Sequence, residues 1–406
     1  MTNRVITSQI VTGYQECQRK AFLLLFGNDQ GTRHQYVSII ERQRILNRDR
    51  QTDTIIKQGR TVKAYDDSSL GEKNAVFVDA RIRVDDCEAY CDIVESPSLS
   101  CSEYRPIIVT GTYKVSEEQK LELLFAGHVL GKALNSNIQN GSIIDQGGRS
   151  HKLKLSNSQK ILNPILNSLS QWMVAPPTEP PSAVLHKACP YCQFSVSCRE
   201  VAEKNDDLSL LDRLTPKLIK RYHGKGIFTL KQLSFLFKPR RSRKRKSKLH
   251  EIYKPELQAL AIRTSKIYLL GTPELTRHPT ELFVDIEGIP DQGFHYLIGL
   301  LICSAQGNSY SSFWANTQQD EEQNFRQFLA TIEKYSDAPI YHYGSYEPKA
   351  FRKLATRYKS DIDSVRKRFI NLNSLIFGKI YFPVRSNRLK EIGKFIGASC
   401  VSDTIK

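Results

Sequence analysis

Three cysteines in the stretch CPYCQFSVSC, residues 189–198, have the spacing of metal or cluster ligands. Cys189, Cys192 and Cys198 form a C-x2-C-x5-C array, and thiolates at such spacing bind zinc or iron–sulfur clusters. A fourth ligand would complete the site, and Cys17 in GYQECQRKAFLL is the candidate. Structural zinc sites more often pair two C-x2-C knuckles, so one distant cysteine plus three favours a cluster. Zinc and unligated thiols are the alternatives.

The remaining cysteines predict no second site. Nine cysteines, an odd number spread irregularly over 406 residues, do not indicate a disulfide framework. Five of them have no matching array and are interpreted as buried or incidental: Cys87, Cys91, Cys101, Cys303 and Cys400.

A pair of carboxylates is the second group with recognisable chemistry. In ELFVDIEG, Asp285 and Glu287 are two residues apart on a predicted strand and therefore project from the same face. Val284 and Ile286 then turn into a core. Two adjacent carboxylates are disfavoured without a cation, so the pair predicts a site for Mg2+ or Mn2+.

The elements that position these residues predict an α/β protein of two or three domains. Residues 1–205 mix helical and strand patterns, and residues 206–280 are helical and basic. In residues 281–406, short runs rich in Val, Ile, Leu and Tyr predict strands. Between them, EEQNFRQFLATIEKY predicts an amphipathic helix.

The formal net charge of +17 favours a polyanionic partner. The N-terminus has no signal-peptide pattern, and its apolar run AFLLLF is too short to span a membrane, so a cytoplasmic location is expected. A basic protein bound to an anionic membrane surface is an alternative, but no basic amphipathic helix with large apolar residues supports it.

A helical hairpin is predicted in LTPKLIKRYHGKGIFTLKQLSFLF, residues 214–237. A proline opens the first helix, HGKG makes the turn, and Thr229 can cap the second helix. Such a hairpin can hold a phosphate with turn amides and a nearby Lys225, without reading bases. A small packing hairpin between two domains is the alternative.

The run KPRRSRKRKSK, residues 238–248, follows the hairpin, and eight of its eleven residues are Lys or Arg. Such density favours contact with a phosphate backbone, although a solvated linker is an alternative. The candidate phosphate-binding residues in this run are Arg240, Arg241, Arg243, Lys244, Arg245 and Lys246.

The cysteine layout resembles that of RecB-like nucleases of the PD-(D/E)XK superfamily, in which a lone N-terminal cysteine is followed, after a nuclease core, by C-x2-C-x5-C. The resemblance implies a restriction-endonuclease-like α/β domain over residues 1–205. It also implies a [4Fe-4S] cluster held by Cys17, Cys189, Cys192 and Cys198, with zinc as the second choice.

The same resemblance implies a metal-dependent nuclease centre. Asp92, in DDCEAYCDIVE, and Lys114, at the end of a strand predicted in YRPIIVTGTYK, match the first and last positions of the motif. Thr112 stands where the middle acid is required, so either Glu117 or Glu118 replaces it or the centre is weakened. Two further residues resemble family positions: Gln119 on the following helix, and His34 upstream of the core.

Residues 281–406 resemble RNase H-like exonucleases of the DEDD type. The resemblance makes Asp285 and Glu287 the first motif and Glu347, in HYGSYE, the second-motif acid. No Y-N-x-x-D-like segment follows, Asp403 comes too late, and Asn371 is neutral where related sequences can carry Asp. The domain is therefore expected to be incomplete at its C-terminus.

Together with the basic charge, these resemblances imply a metal-dependent nuclease, specifically an exonuclease that acts on DNA ends or single strands in repair or defence; whether RNA is also accepted stays open. The alternative is a nucleic-acid-binding protein with degenerate nuclease centres.

Overall fold

The computed structural model describes residues 4–66, 73–97, 103–156, 158–239 and 253–398. The chain divides into an N-terminal unit, Met1–Glu200, and a C-terminal unit, Val201–Lys406. Residues 206–280, predicted as a connector, belong to the C-terminal unit. No helix within the described ranges is both long and apolar enough to cross a membrane.

The N-terminal unit combines helices with a mixed sheet. Its helices are α1 (Ser8–Glu16), α2 (Gln18–Phe26), α3 (Gln35–Lys57), α4 (Glu117–Ala133), α5 (Ser158–Val174) and α6 (Ser195–Lys204), which continues past residue 200. Its strands are β1 (Ile6–Thr7), β2 (Thr61–Ala64), β3 (Ala75–Val84), β4 (Cys87–Glu95), β5 (Arg105–Val109), β6 (Asn140–Ile144) and β7 (Ser150–Lys154). A short 3-10 helix spans Cys189–Tyr191.

The sheet of the N-terminal unit has the order β2-β3-β4-β5-β6-β7, and β1 pairs in parallel with β4. Helix α4 begins at a capping box in which Ser116 and Gln119 satisfy each other's backbone N–H groups. The apolar side chains that follow, including Leu123 and Phe125, are fully buried in the main core of this unit. The capping box thus fixes where this core helix starts against the sheet.

The strand predicted to end at Lys114 ends at Val109 instead. Beyond it, the Thr112 amide donates to the Thr110 hydroxyl at 3.1 Å, a local hydrogen bond that competes with strand pairing. A Cβ at position 111 would collide with the Ile40 carbonyl oxygen of α3, so Gly111 lets the chain pass close to that helix. Lys114 therefore lies exposed in the loop before α4.

The C-terminal unit is also mixed, so the predicted α/β class is confirmed in both units. Its helices are α7 (Pro216–His223), α8 (Leu230–Ser234), α9 (Pro255–Thr264), α10 (Gln318–Glu333), α11 (Tyr346–Tyr358), α12 (Asp363–Lys367), α13 (Leu372–Ile376) and α14 (Leu389–Phe395), with a 3-10 helix at Leu208–Leu210. Its strands are β8 (Tyr268–Leu269), β9 (Thr280–Ile289), β10 (Phe294–Ser304), β11 (Gly307–Trp314), β12 (Ile340–His342), β13 (Phe369–Asn371) and β14 (Ile380–Tyr381).

The main sheet of this unit has the order β11-β10-β9-β12-β13. Strands β9, β10 and β11 are antiparallel neighbours, whereas β12 runs parallel to both β9 and β13. Alternate residues of β9, Leu282, Val284 and Ile286, are buried in the core formed with α10 and α11. The opposite face of β9 consequently carries the carboxylates.

The predicted helical hairpin is present in α7 and α8. Thr215 caps α7 ahead of Pro216, and Thr229 caps α8 through a capping box with Gln232. Gly226, at φ +75°, makes the turn between the helices. Residues 240–252, which contain most of the basic run, lie outside the described residues.

Candidate active site and cysteine site

Two exposed carboxylates project from the open face of β9. Asp285 and Glu287 are both exposed, whereas the intervening Ile286 is 2% exposed. The strand alternates because its apolar residues pack against α10 and α11, and this alternation leaves the two acids on one face. The predicted pairing of these two side chains on a strand is confirmed.

A third carboxylate, Glu347, lies in the first turn of α11 and is 5% exposed. The loop that leads to it from β12 contains Gly344 at φ +107°, and the Gly344 amide donates to Asn371 Oδ1 at 3.0 Å. The Asn371 side chain thus anchors the loop between β12 and α11, which leads to Glu347. Glu347 Oε2 lies 3.5 Å from His342 Nδ1, and neither atom has a hydrogen-bond partner within the described residues.

The three carboxylates interact electrostatically. Burial raises the pKa of Asp285, and the negative charge of Glu347 raises it further. Burial and the charge of Asp285 likewise raise the pKa of Glu287. Lys390, exposed on α14, opposes both shifts. The acids therefore share one region of negative potential, which a divalent cation would relieve.

The donor chemistry of this region fits Mg2+ or Mn2+, because carboxylate oxygens are hard ligands and one of them, Glu347 Oε2, has no hydrogen-bond partner in the described part of the chain. No three His, Cys, Asp or Glu side chains of the described ranges already form a group close enough to hold an ion. Sequence reasoning missed Lys390, because only the fold brings α14 near β9.

Comparison with known protein families identifies the class of the C-terminal domain. Residues 282–406 match the family model described as RNase_H superfamily. The chain thus contains a C-terminal RNase H-like domain, a class of domain that processes nucleic acids in the manner of nucleases. No curated protein matches the chain.

The four predicted cluster ligands line one cavity in the N-terminal unit. Cys17 lies between α1 and α2, Cys189 and Cys192 bound the short 3-10 helix, and Cys198 lies on α6. The fold thus brings together cysteines that are more than 170 residues apart in sequence. Cys87 and Cys91 are instead buried in β4, and Cys303 is half-buried in the C-terminal unit. Cys101 and Cys400 lie outside the described residues.

His186 lines the same cavity and was missed by the sequence reasoning. Its backbone N–H donates to Cys189 Sγ at 3.2 Å. Hydrogen bonds to Cys17 and Cys189 raise the pKa of the His186 side chain to about 10, against the effect of burial. Its position three residues before Cys189, in LHKACPYC, is the signal that could have revealed it.

Basic residues surround the thiols. Burial alone would raise the pKa of Cys17, but hydrogen bonding to His186 and to the Lys20 and Arg19 amides lowers it. Burial raises the pKa of both Cys192 and Cys198. The positive charge of Lys20 opposes this rise at Cys192, and Arg19 opposes it at Cys198. Arg19 Nε is buried and has no hydrogen-bond partner within the described residues. The cavity therefore suits a group that carries negative charge.

Asp92, the predicted ligand of the other metal centre, is buried and paired with an arginine. It is 1% exposed, and its oxygens accept from Arg44 Nε at 3.1 Å and Arg44 Nη2 at 2.7 Å. The Val109 amide also donates to Asp92 Oδ2 at 2.7 Å. Arg44 Nη2 reaches Glu122 Oε1 at 3.0 Å. A guanidinium thus lies between two acids at the position predicted for a cation.

The other residues predicted for this centre have separate contacts. Gln119 takes part in the capping box of α4, and its Nε2 donates to the Thr110 and Thr112 hydroxyls. His34 is exposed and caps α3, where its Nδ1 accepts from the Tyr36 amide at 3.1 Å. Glu117 and Glu118 are exposed at the start of α4.

The structure describes one of the predicted phosphate-binding residues. Lys225 is exposed in the turn between α7 and α8. The others lie outside the described residues: Arg240, Arg241, Arg243, Lys244, Arg245 and Lys246.

Proposed function

We propose that the C-terminal unit is a divalent-metal-dependent nuclease whose centre comprises Asp285, Glu287 and Glu347. The observation that carries this proposal is the electrostatic coupling of these carboxylates on a domain that matches the RNase H superfamily. Mg2+ or Mn2+, when bound, would activate water and stabilise the leaving oxygen of a phosphodiester.

Each side chain has a distinct role in this proposal. Asp285 and Glu287 supply exposed ligands, and Glu347 supplies a buried carboxylate oxygen to which no other described residue forms a hydrogen bond. Lys390 attracts the substrate phosphate, since its positive charge acts on both exposed acids. His342 borders this oxygen of Glu347, with its Nδ1 3.5 Å away and no hydrogen bond between the two atoms.

We assign DNA as the substrate and exonucleolytic cleavage as the reaction, in repair or defence, with RNA as a second substrate class to be tested. The net charge of +17 supports a polyanionic substrate. Lys225 and the basic run would supply contacts to phosphates that do not depend on sequence.

For the N-terminal unit, we propose a RecB-like domain whose cysteines hold a [4Fe-4S] cluster, with zinc as the alternative. Four thiols on one cavity, flanked by Arg19 and Lys20, support this assignment. The cluster would link residues from both ends of the domain.

For the Asp92 centre, the pairing with Arg44 favours the second candidate function, which is nucleic-acid binding without cleavage. Asp92 could become a metal ligand only if Arg44 moved away, because Arg44 and the Val109 amide occupy its oxygens. The metal-ligand role of Asp92 therefore stays a prediction.

A cleavage assay tests the proposed nuclease centre: anaerobically purified protein is incubated with labelled DNA or RNA. Cleavage should require Mg2+ or Mn2+ and should fall at least a hundredfold in Asp285→Asn, about 3 kcal/mol of barrier. Asp363→Asn, an exposed acid on α12, is the matched control and should cleave normally. Binding without turnover in either metal would instead support the binding protein. Cleavage that is lost in Asp92→Asn and kept in Asp285→Asn would place the centre in the N-terminal unit.

A further inference from the structure

An aromatic side chain shares the open sheet face with the carboxylates. Leu297 on β10 pairs with Glu287 on one side and with Trp314 on the other. Side chains of directly paired residues lie on the same face of a sheet. Trp314, which is 51% exposed, therefore lies in the same cross-strand row as Glu287.

A second aromatic residue covers the row that contains Asp285. Gly299 pairs with Asp285 and with Ser312. A Cβ at Gly299 would lie 2.9 Å from Tyr310 Oη and 3.6 Å from two carbons of that ring. Since the Cβ of residue 299 would point to the carboxylate face, Tyr310 leans over that face. Tyr310 is nevertheless 65% exposed.

Tyr296 connects the aromatic residues to the acids. Its ring centroid is 5.4 Å from that of Trp314, at an interplanar angle of 54°. Burial raises the pKa of the Tyr296 hydroxyl, and the charges of Glu287 and Asp285 add to this effect. Tyr296, Tyr310 and Trp314, hereafter the aromatic face, thus adjoin the proposed catalytic centre.

Core packing does not account for this exposure. Along β11, Phe313 turns to the core face, where its ring centroid lies 6.0 Å from that of Phe328. Tyr310 and Trp314 point the other way, beside polar Ser312. Large exposed rings next to a functional site are typical of ligand recognition.

We propose that the aromatic face binds unstacked bases of a single-stranded nucleic acid whose scissile phosphate lies at the carboxylates. The inference rests on the proposed nuclease function and specifies its substrate. Bases of a single strand can stack on aromatic rings, whereas bases in a duplex already stack on each other. The adjacent Lys390 supplies the complementary charge for the backbone.

The chain contains a built-in probe of this proposal. It has two tryptophans, Trp172 and Trp314. Trp172 packs against Tyr14 and Phe22 in the N-terminal unit, so Trp172→Phe keeps a ring there and leaves Trp314 as the sole tryptophan. Oligo-dT, oligo-rU and a blunt duplex of equal phosphate number would be titrated into this full-length variant in EDTA, where cleavage cannot occur.

Single strands should quench Trp314 emission, and the duplex should leave it largely unchanged. In fluorescence anisotropy with labelled oligo-dT, Trp314→Leu combined with Tyr310→Ser should weaken binding about tenfold or more. Trp314→Phe, which keeps an aromatic ring, should retain most of the affinity. Thermal unfolding of each variant checks that the loss is not one of folding.

Further variants separate this inference from the nuclease proposal. Asp285→Asn should abolish cleavage but preserve Trp314 quenching by single strands. Unchanged Trp314 emission with both single strands, or equal quenching by the duplex, would overturn the single-strand assignment. Trp314 emission that depends on protein concentration without nucleic acid would instead identify the aromatic face as a contact between two copies of the chain.

Discussion

Arg44 engages both carboxylate oxygens of Asp92, through Nε to Oδ1 at 3.1 Å and Nη2 to Oδ2 at 2.7 Å. Burial alone would lower the pKa of Arg44, but Glu122 and Asp92 raise it, so the guanidinium stays charged. This ion pair, in which the acid is buried, occupies the place where the family resemblance implies a metal ion. Arg44 of α3 therefore neutralises Asp92 on β4 and Glu122 on α4.

Removal of Arg44 should destabilise the N-terminal unit. In Arg44→Ala, buried Asp92 and half-buried Glu122 would lose their cation, at a cost of roughly 3–5 kcal/mol in the free energy of unfolding. Urea denaturation measures this loss. Arg42→Ala, at an exposed position of the same helix, should change it by less than about 0.5 kcal/mol. A loss below about 1 kcal/mol in Arg44→Ala would contradict the structural role.

The carboxylates of the C-terminal unit should trade stability for function. The pKa values of Asp285 and Glu287 are raised, so these two acids destabilise the fold once they ionise, and this penalty grows as pH rises. Asp285→Asn should therefore stabilise the metal-free protein at pH 7, by at most about 1 kcal/mol because the residue is exposed. The gain should disappear as pH falls below the usual range of Asp, as thermal unfolding at several pH values would reveal.

Bound Mg2+ should make the wild-type protein more stable than Asp285→Asn, the reverse of their order without metal. A cation that binds the folded state at a hundredfold excess over its Kd stabilises it by about 2.7 kcal/mol. Wild-type protein should gain thermal stability with Mg2+ or Mn2+, whereas Asp285→Asn and Glu347→Gln should gain much less. Glu322→Gln, at a half-buried position of α10 that pairs with Arg326, should respond like the wild type. Equal stabilisation of all four proteins would exclude these carboxylates as the cation site.

Acid stability of the C-terminal unit should depend on Glu321. This residue is 1% exposed and accepts hydrogen bonds from His295, Arg357 and Tyr358. Burial would raise its pKa, but these partners lower it from 4.5 to about 2. A lowered folded-state pKa contributes stability that is complete above pH 4.5 and is lost as pH falls toward 2.

Glu321→Gln should consequently cost roughly 1.5–3 kcal/mol at pH 7, with a smaller difference from the wild type at pH 3. Urea midpoints measured across this range test the sign of the effect. Glu333→Gln at the end of the same helix provides an exposed comparison. A constant difference between wild type and Glu321→Gln at all pH values would contradict the linkage.

Local patterns in the sequence predicted local structure well. The period-two alternation of β9 placed Asp285 and Glu287 on one face because its apolar partners need a core. Thr229 predicted the second helix of the hairpin because its side chain satisfies a free backbone amide. Such features depend on a few neighbouring residues and can be recognised without the fold.

Contacts between residues that are distant in the sequence could not be predicted from local patterns. Arg44 reaches Asp92 from 48 residues away, and no local pattern indicates that pairing. Lys390 acts on β9 only because the fold brings α14 close, and no local pattern indicates that Gly111 passes beside α3 after the strand ends at Val109. The grouping of Cys17 with the other three cysteines was proposed from the sequence itself, but the spacing left zinc and unligated thiols open, and only the family resemblance implied a [4Fe-4S] cluster.

The cysteine cavity makes the last prediction, which concerns cofactor content and not activity. If Cys17 is a cluster ligand, anaerobically purified wild-type protein should contain iron and sulfide and show visible thiolate-to-iron charge-transfer absorption. Cys17→Ser should lose most of both, and Cys303→Ser, whose thiol lies in the other unit, should lose neither. His186→Ala should keep its iron, because four cysteines suffice as ligands, but should lose it faster in air, since the hydrogen bonds from the His186 side chain to Cys17 and Cys189 are gone and only the backbone N–H bond to Cys189 remains. If the wild-type protein contains zinc and shows no visible absorption, the site holds a single zinc ion and not a cluster. If it contains neither iron nor zinc, the thiols are unligated.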